Sequence, residues 1–167
     1  VGTAEAAMRA KLLGITEGFK EDEVVFVSTG DGATSEGEFW EMLNLACLEK
    51  LPLLILVEDN GFAISTPVEC QTPGGSISAL VSGFPDLHIS TVDGTDFVAS
   101  YATLAEAVDW CRSGRGPALV HGSVIRPYSH SLSDDERLYK TAAERAAEAE
   151  RDPLVKYPEG LIENSIL

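Results

Sequence analysis

Two short runs carry residue types that could hold a charged ligand. Gly30-Asp31-Gly32 combines a carboxylate with two residues that lack side chains, and Asn60-Gly61-Phe62 begins 29 residues after Asp31. Read alone, each is also an ordinary turn: glycine supplies positive φ, aspartate caps the turn, and Asn-Gly joins strands. Read together, they point to other chemistry. Glycines let backbone N–H groups approach a phosphate. A carboxylate with one or two neutral oxygens, completed by phosphate oxygens and water, suits octahedral Mg2+. Asp31 is the candidate charged ligand, and Asn60 with a following carbonyl the neutral set. Their spacing matches one βαβ crossover, which would set the two turns side by side.

The elements that must position these turns follow from the apolar periodicity. Residues 5–13 read as helix, 24–27 as a short strand, and 35–50 as a helix with Phe39, Met42, Leu43 and Ala46 on one face. Ser35 with Glu38 has the form of a capping box for that helix. Residues 53–57 form a continuous apolar run of the kind buried on both faces of a parallel sheet. A short helix over 76–81, a strand over 88–92, a helix over 97–111 and a strand over 118–124 follow. Ser133 with Glu136 reads as a second capping box, opening a helix to about Arg151. Pro153 interrupts it, and 154–167 reads as partly helical. Alternating strands and helices predict an α/β fold: a doubly wound, mostly parallel sheet with helices on both faces. Ligands of such sheets bind at the carboxyl ends of the strands. All four predicted strands end in polar sequence there: Gly30-Asp31-Gly32-Ala33, Glu58-Asp59-Asn60-Gly61-Phe62, Asp93-Gly94-Thr95-Asp96 and Arg126-Pro127-Tyr128-Ser129-His130-Ser131.

Composition narrows the function classes. The 167 residues carry 12 Lys+Arg against 27 Asp+Glu, a formal net charge of −15, which argues against nucleic acids or anionic membranes as partners. Half of the basic residues fall within 126–156, against an otherwise acidic chain. No apolar run is long enough to span a bilayer. Three widely spaced cysteines fit a reducing compartment, so a cytoplasmic protein is expected; they read as buried small hydrophobes. The chain opens at Val1 inside a helical pattern, as an excerpt of a longer polypeptide would.

The run GDGATSEGEFWEMLNLACLEKLPLLILVEDNGFAISTP and the later RPYSHSLSDDERLYK carry a resemblance. The first resembles the thiamine-diphosphate motif (GDG…N), and the second resembles a phosphorylation-loop segment usually written YRxxGHSxSDD. Over about residues 1–155 the chain resembles the α-type part of 2-oxo acid dehydrogenase decarboxylating components. It is similar to the branched-chain (2-oxoisovalerate) family, including the bacterial type with fused α- and β-like parts. The resemblance implies a thiamine-diphosphate-binding fold and oxidative decarboxylation of a 2-oxo acid, with the acyl unit passing to a lipoyl group on a partner acyltransferase. It implies thiamine diphosphate and Mg2+ as cofactors. Asp31, Asn60 and the Phe62 carbonyl would bind the metal. Gly30, Gly32 and Ala33 would line the diphosphate, and Arg126 and the catalytic His130 would approach it from the loop. Residues 1–152 would be the diphosphate- and metal-binding domain, truncated at its N-terminus, and 153–167 a helical extension toward a following domain. The glutamate that activates the cofactor belongs to a β-type partner domain or subunit, so this chain would supply half a site within an oligomer.

Three positions depart from that pattern. Phe62 stands where tyrosine is usual, Ser129 where glycine or histidine is usual, and Asp59 replaces the common asparagine, adding negative charge beside the metal position. Other residues have simpler readings. Ser131 and Ser133 match positions phosphorylated in mitochondrial relatives, but Ser133 reads as a helix N-cap. His121 lies within a strand and reads as a core or hydrogen-bonded histidine, while His88 lacks ligand-like neighbours. Thr95 or Asp96 would cap the helix from Phe97, and packing accounts for Trp40 and Trp110. A non-catalytic assembly domain that keeps this fold is the competing class, disfavoured by intact Asp31, Asn60 and His130. An Mg2+-dependent phosphoryl-transfer domain would need a Lys-Ser/Thr phosphate loop that the first strand lacks.

Overall fold

A computed structural model describes residues 1–166 apart from Thr16, Phe19 and Glu21; the end of the predicted C-terminal segment, Leu167, also lies outside the described residues. Its elements run α1 (Gly2–Leu12), β1 (Val25–Gly30), a 3-10 turn (Gly32–Ser35), α2 (Gly37–Leu48), β2 (Leu53–Asp59), a two-residue hairpin of β3 (Phe62–Ala63) and β4 (Thr66–Pro67), α3 (Ile77–Leu80), β5 (His88–Asp93), α4 (Phe97–Arg112), β6 (Ala118–Ser123), a 3-10 turn (Glu136–Leu138), α5 (Ala142–Ala149) and α6 (Pro153–Glu163). The main sheet has the order β1-β2-β6-β5, and every pairing in it is parallel.

The period-2 alternation of β2 explains why both its faces are apolar. Leu53, Ile55 and Val57 pack with Phe39, Leu43 and Ala46 of α2, Ala4 of α1 and Ile77 of α3. Leu54 and Leu56 face the other way, against Leu104, Ala107, Val108 and Cys111 of α4. Helices therefore cover both faces, as the alternation predicts. Register brings the strand ends level: Gly30 pairs with Glu58, and Asp59 and Asp93 both pair with Ser123. The turns that follow thus leave the sheet along one edge, with those of β1 and β2 as neighbours.

Local differences from the sequence reading have identifiable causes. Ser35 does not cap α2; it closes the 3-10 turn that begins at Gly32, within which Thr34 Oγ1 donates to the Asp31 carbonyl at 2.6 Å. The helix begins at Gly37 after Glu36, without a side-chain cap. Ser133 does not open a long helix either. Asp135 caps the short turn, the chain breaks at Tyr139-Lys140, and Thr141 with Glu144 forms the capping box of α5. Tyr139 and Lys140 are drawn inward by tertiary contacts described below, which continuous helix would forbid. Pro153 opens α6 at its first turn, where its missing N–H is not needed. Asp96 caps α4, accepting from Ala99 N–H at 2.9 Å. Cys47 and Cys111 are buried as expected, but Cys70 is exposed. Trp40 packs between Phe39 and Phe84, and His88 stacks on Trp110. No helix among the described residues is long and apolar enough to cross a membrane.

Candidate active site

Asp31 sits one residue past β1 and is 1% exposed. Its Oδ2 accepts a long hydrogen bond from Gln71 Nε2 at 3.3 Å, while Oδ1 is buried with no partner. Burial raises the carboxyl above the usual aspartate range, and the charge of Asp59 raises it further; backbone dipoles at Asp31 and Asn60 and the Arg126 charge oppose them. A buried carboxylate with one orphaned oxygen is costly unless a cation or donor meets it. The next residue has little freedom. A Cβ on Gly32 would stand 2.5 Å from Ala63 Cβ and 3.2 Å from its Cα, so glycine is what lets β1's turn lie against β3. Gly30 leads into this turn, Gly32 is half-buried and Ala33 is exposed.

The Asn60 turn is pinned on both sides. Asp59 Oδ1 accepts from Gly61 N–H at 2.8 Å, and Asn60 Oδ1 accepts from Phe62 N–H at 3.2 Å. Gly61 has φ +80°, a value that favours glycine, and its carbonyl accepts from Val68 N–H at 2.9 Å. Asp59 Oδ2 lies 2.8 Å from His121 Nε2, and His121 Nδ1 lies 3.0 Å from Ser78 Oγ. Burial alone would raise the Asp59 carboxyl; the His121 and Gly61 hydrogen bonds and the His121 charge outweigh it and hold the group below its usual range. The negative charge expected from Asp59 is therefore met by a histidine.

The segment after β6 folds back over this turn through side chains. Arg126 donates to the Ile64 carbonyl at 2.8 Å and to Tyr139 Oη at 2.6 Å. Tyr139 in turn donates to Asp134 Oδ2 at 2.5 Å, and the same oxygen accepts from His130 N–H at 2.9 Å. The Tyr139 hydrogen bond is the main reason the Asp134 carboxyl lies below its usual range. Phe62 packs on Tyr139 with ring centroids 5.7 Å apart, and Arg126 and Lys140 stand over its ring. Lys140 is fully buried and donates to both Glu148 oxygens at 2.7 and 2.6 Å, tying α5 to the site. Ser129 Oγ accepts from Glu136 N–H at 3.2 Å, so the serine helps close the loop.

The structure thus brings Asp31, Gly32, Asn60, Phe62 and Arg126 to one edge of the sheet. His130 is anchored there by its backbone, but its side chain is exposed and hydrogen-bonds to none of them. Ser131 and Ser133 bond each other, hydroxyl to hydroxyl at 3.1 Å. Among the described residues no three His, Cys, Asp or Glu side chains converge. A cation at Asp31 would rely on one carboxylate and neutral oxygens, a donor set that suits Mg2+. The roles of Gln71, Asp134, Tyr139 and Lys140 are not readable from local sequence.

A doubly wound parallel sheet with its polar turns gathered at the carboxyl edge is the class these observations define. Residues 2–167 match the family model of the dehydrogenase E1 component, and the chain belongs to that family. It is 38% identical over 159 residues to the 3-methyl-2-oxobutanoate dehydrogenase subunit alpha of Mycobacterium tuberculosis, covering 94% of this chain and 40% of that protein. It is 34% identical over 150 residues to the pyruvate dehydrogenase E1 component subunit alpha of Mycoplasma genitalium, covering 89% and 41%. With the corresponding pyruvate dehydrogenase subunit of Staphylococcus aureus it shares 35% over 140 residues, covering 82% and 37%. The chain spans about two fifths of the length of these relatives.

Proposed function

We propose that this chain supplies the diphosphate- and metal-holding half of the site of a 2-oxo acid dehydrogenase E1 component. The reaction is oxidative decarboxylation of a 2-oxo acid, branched-chain acids favoured, with the acyl group passing to the lipoyl group of a partner acyltransferase. The orphaned, buried Asp31 Oδ1 carries this reading, because it leaves a charged oxygen unmatched beside a turn that presents neutral oxygens. Asp31, Asn60 Oδ1 and the Phe62 carbonyl would hold Mg2+. Gly30, Gly32 and Ala33 let the backbone approach a diphosphate, an approach the acidic chain permits only with a metal to offset the charge. Arg126, held by Ile64 and Tyr139, places a positive charge over this edge, and His130 would reach the diphosphate end from the loop. Thiamine diphosphate, when bound, supplies the electron sink for loss of carbon dioxide. Residues 1–152 would form the binding domain and 153–167 a helical extension from it, with Tyr157 of α6 packed on Phe97. The β-type partner completes the site in a cytoplasmic oligomer. The branched-chain preference is supported by the sequence resemblance and by the mycobacterial relative.

Calorimetric titration of the full-length protein with its β-type partner tests this. Thiamine diphosphate should bind with Mg2+ and not with EDTA, and turnover with an artificial electron acceptor should favour 3-methyl-2-oxobutanoate over pyruvate. Metal-independent binding, or none, would overturn the proposal; a pyruvate preference would overturn its substrate assignment alone.

A further inference from the structure

We infer that His121 is a positioning residue for the metal-holding turn, acting through Asp59; the inference rests on the function proposed above. His121 pairs in register with Val57, two residues before Asp59, so both side chains lie on the same face of the sheet as diagonal neighbours. Their side chains are 9% and 12% exposed. An ionised carboxylate only accepts, so the 2.8 Å contact is a donation from Nε2–H to Oδ2. The far nitrogen is held by Ser78 Oγ at 3.0 Å, next to Ser76, the residue that caps α3. A continuous line therefore runs from α3 through β6 to β2: Ser78, His121, Asp59, and then the Gly61 N–H on Oδ1. That last bond orients the turn carrying the Asn60 oxygen and the Phe62 carbonyl.

The need for this line is electrostatic. Asp59 adjoins Asp31, which is itself buried, and the two carboxylates repel. With its Oδ2 unmatched, Asp59 would turn toward solvent, release Gly61 N–H and loosen the neutral ligand set. A histidine fixed on its far side keeps the carboxylate in place through the Nε2–H hydrogen bond to Oδ2, without entering the metal position. Residues that orient metal ligands from behind typically contribute 10–100-fold in affinity.

The test uses the full-length protein with its β-type partner and measures Mg2+ affinity calorimetrically at saturating thiamine diphosphate, beside urea-unfolding midpoints of the same variants. His121→Ala should weaken Mg2+ binding about 10–100-fold. His121→Gln, whose Nε2 can still donate to Asp59, should restore affinity to within about threefold, and Ser78→Ala should lower it about two- to threefold. Asp59→Ala combined with His121→Ala should lose no more than Asp59→Ala alone, because His121 acts through that carboxylate. A merely structural role would lower the unfolding midpoint and leave metal affinity unchanged, overturning the inference. Additive losses in the double variant, or failure of His121→Gln to restore affinity, would overturn it as well. If His121→Ala does not fold, the glutamine and Ser78 variants decide the matter. Absence of metal-dependent cofactor binding in the unaltered protein would overturn both proposals, whereas normal binding there with equal binding in His121→Ala overturns this one alone.

Discussion

The two halves of the candidate site are held by different means. The turns after β1 and β2 inherit their positions from strand register, a tight Gly32–Ala63 approach and backbone N–H bonds to Asp59 and Asn60. The segment over 124–140 has only one short 3-10 turn. It is shaped by a few side chains: Arg126, Tyr139 and Asp134 in series, and Lys140 against Glu148. A sheet edge is rigid because many residues share the load. A loop held by individual side-chain hydrogen bonds can lose its shape through one of them. Changes to the ligand residues of the first half should therefore remove binding outright, and changes in the second should be graded.

The largest effect should come from Asp31→Asn, with loss of Mg2+-dependent thiamine diphosphate binding by more than about 100-fold in calorimetry. The same change should stabilise the metal-free protein at neutral pH. Folding raises the Asp31 carboxyl, so its ionised form opposes folding above the folded value, and that penalty is relieved as pH falls through it. The difference in thermal midpoint between Asp31→Asn and the unaltered protein should accordingly shrink toward pH 4. For the same reason metal affinity should fall with pH, since protons compete for the carboxylate. Unchanged binding in Asp31→Asn would remove the distinction between the two halves.

Lys140→Met should act mainly on stability, at about 3–5 kcal/mol by urea unfolding, because it leaves Glu148 without its buried cation. Adding Glu148→Leu should recover most of that loss. Tyr139→Phe should sharpen the contrast. It keeps the ring on Phe62 but removes the hydroxyl between Arg126 and Asp134, so thiamine diphosphate should bind about tenfold more weakly while stability changes by about 1 kcal/mol or less. The smallest change is expected for Ser129→Gly, which gives up one long, part-buried hydrogen bond and should cost about 1 kcal/mol or less.

Much of the fold was legible because its determinants are local. The run 53–57 is apolar on both sides because two helical layers meet it, and the spacing of Asp31 and Asn60 follows from one crossover between neighbouring strands. Asp31 and Asn60 could be singled out because each follows closely on an apolar run, although the strands extend past those runs to Gly30 and Asp59. The capping boxes at Ser35 and Ser133 show the limit. Both have the right residue types, yet neighbouring contacts claimed those positions first.

Sequence alone determined the alternation of strands and helices, the edge on which the polar turns fall and the residue types offered to a ligand. These depend on propensities and periodicities that act within a few residues. Tertiary structure alone decided that His121 meets Asp59 across 62 positions, that Arg126 reaches Ile64 across another 62, and that the chain breaks at Tyr139-Lys140 to bury a lysine against Glu148. Burial and charge compensation have no period in sequence. Their energy depends on which partner arrives from elsewhere in the chain, and only the packed sheet brings that partner within hydrogen-bonding distance.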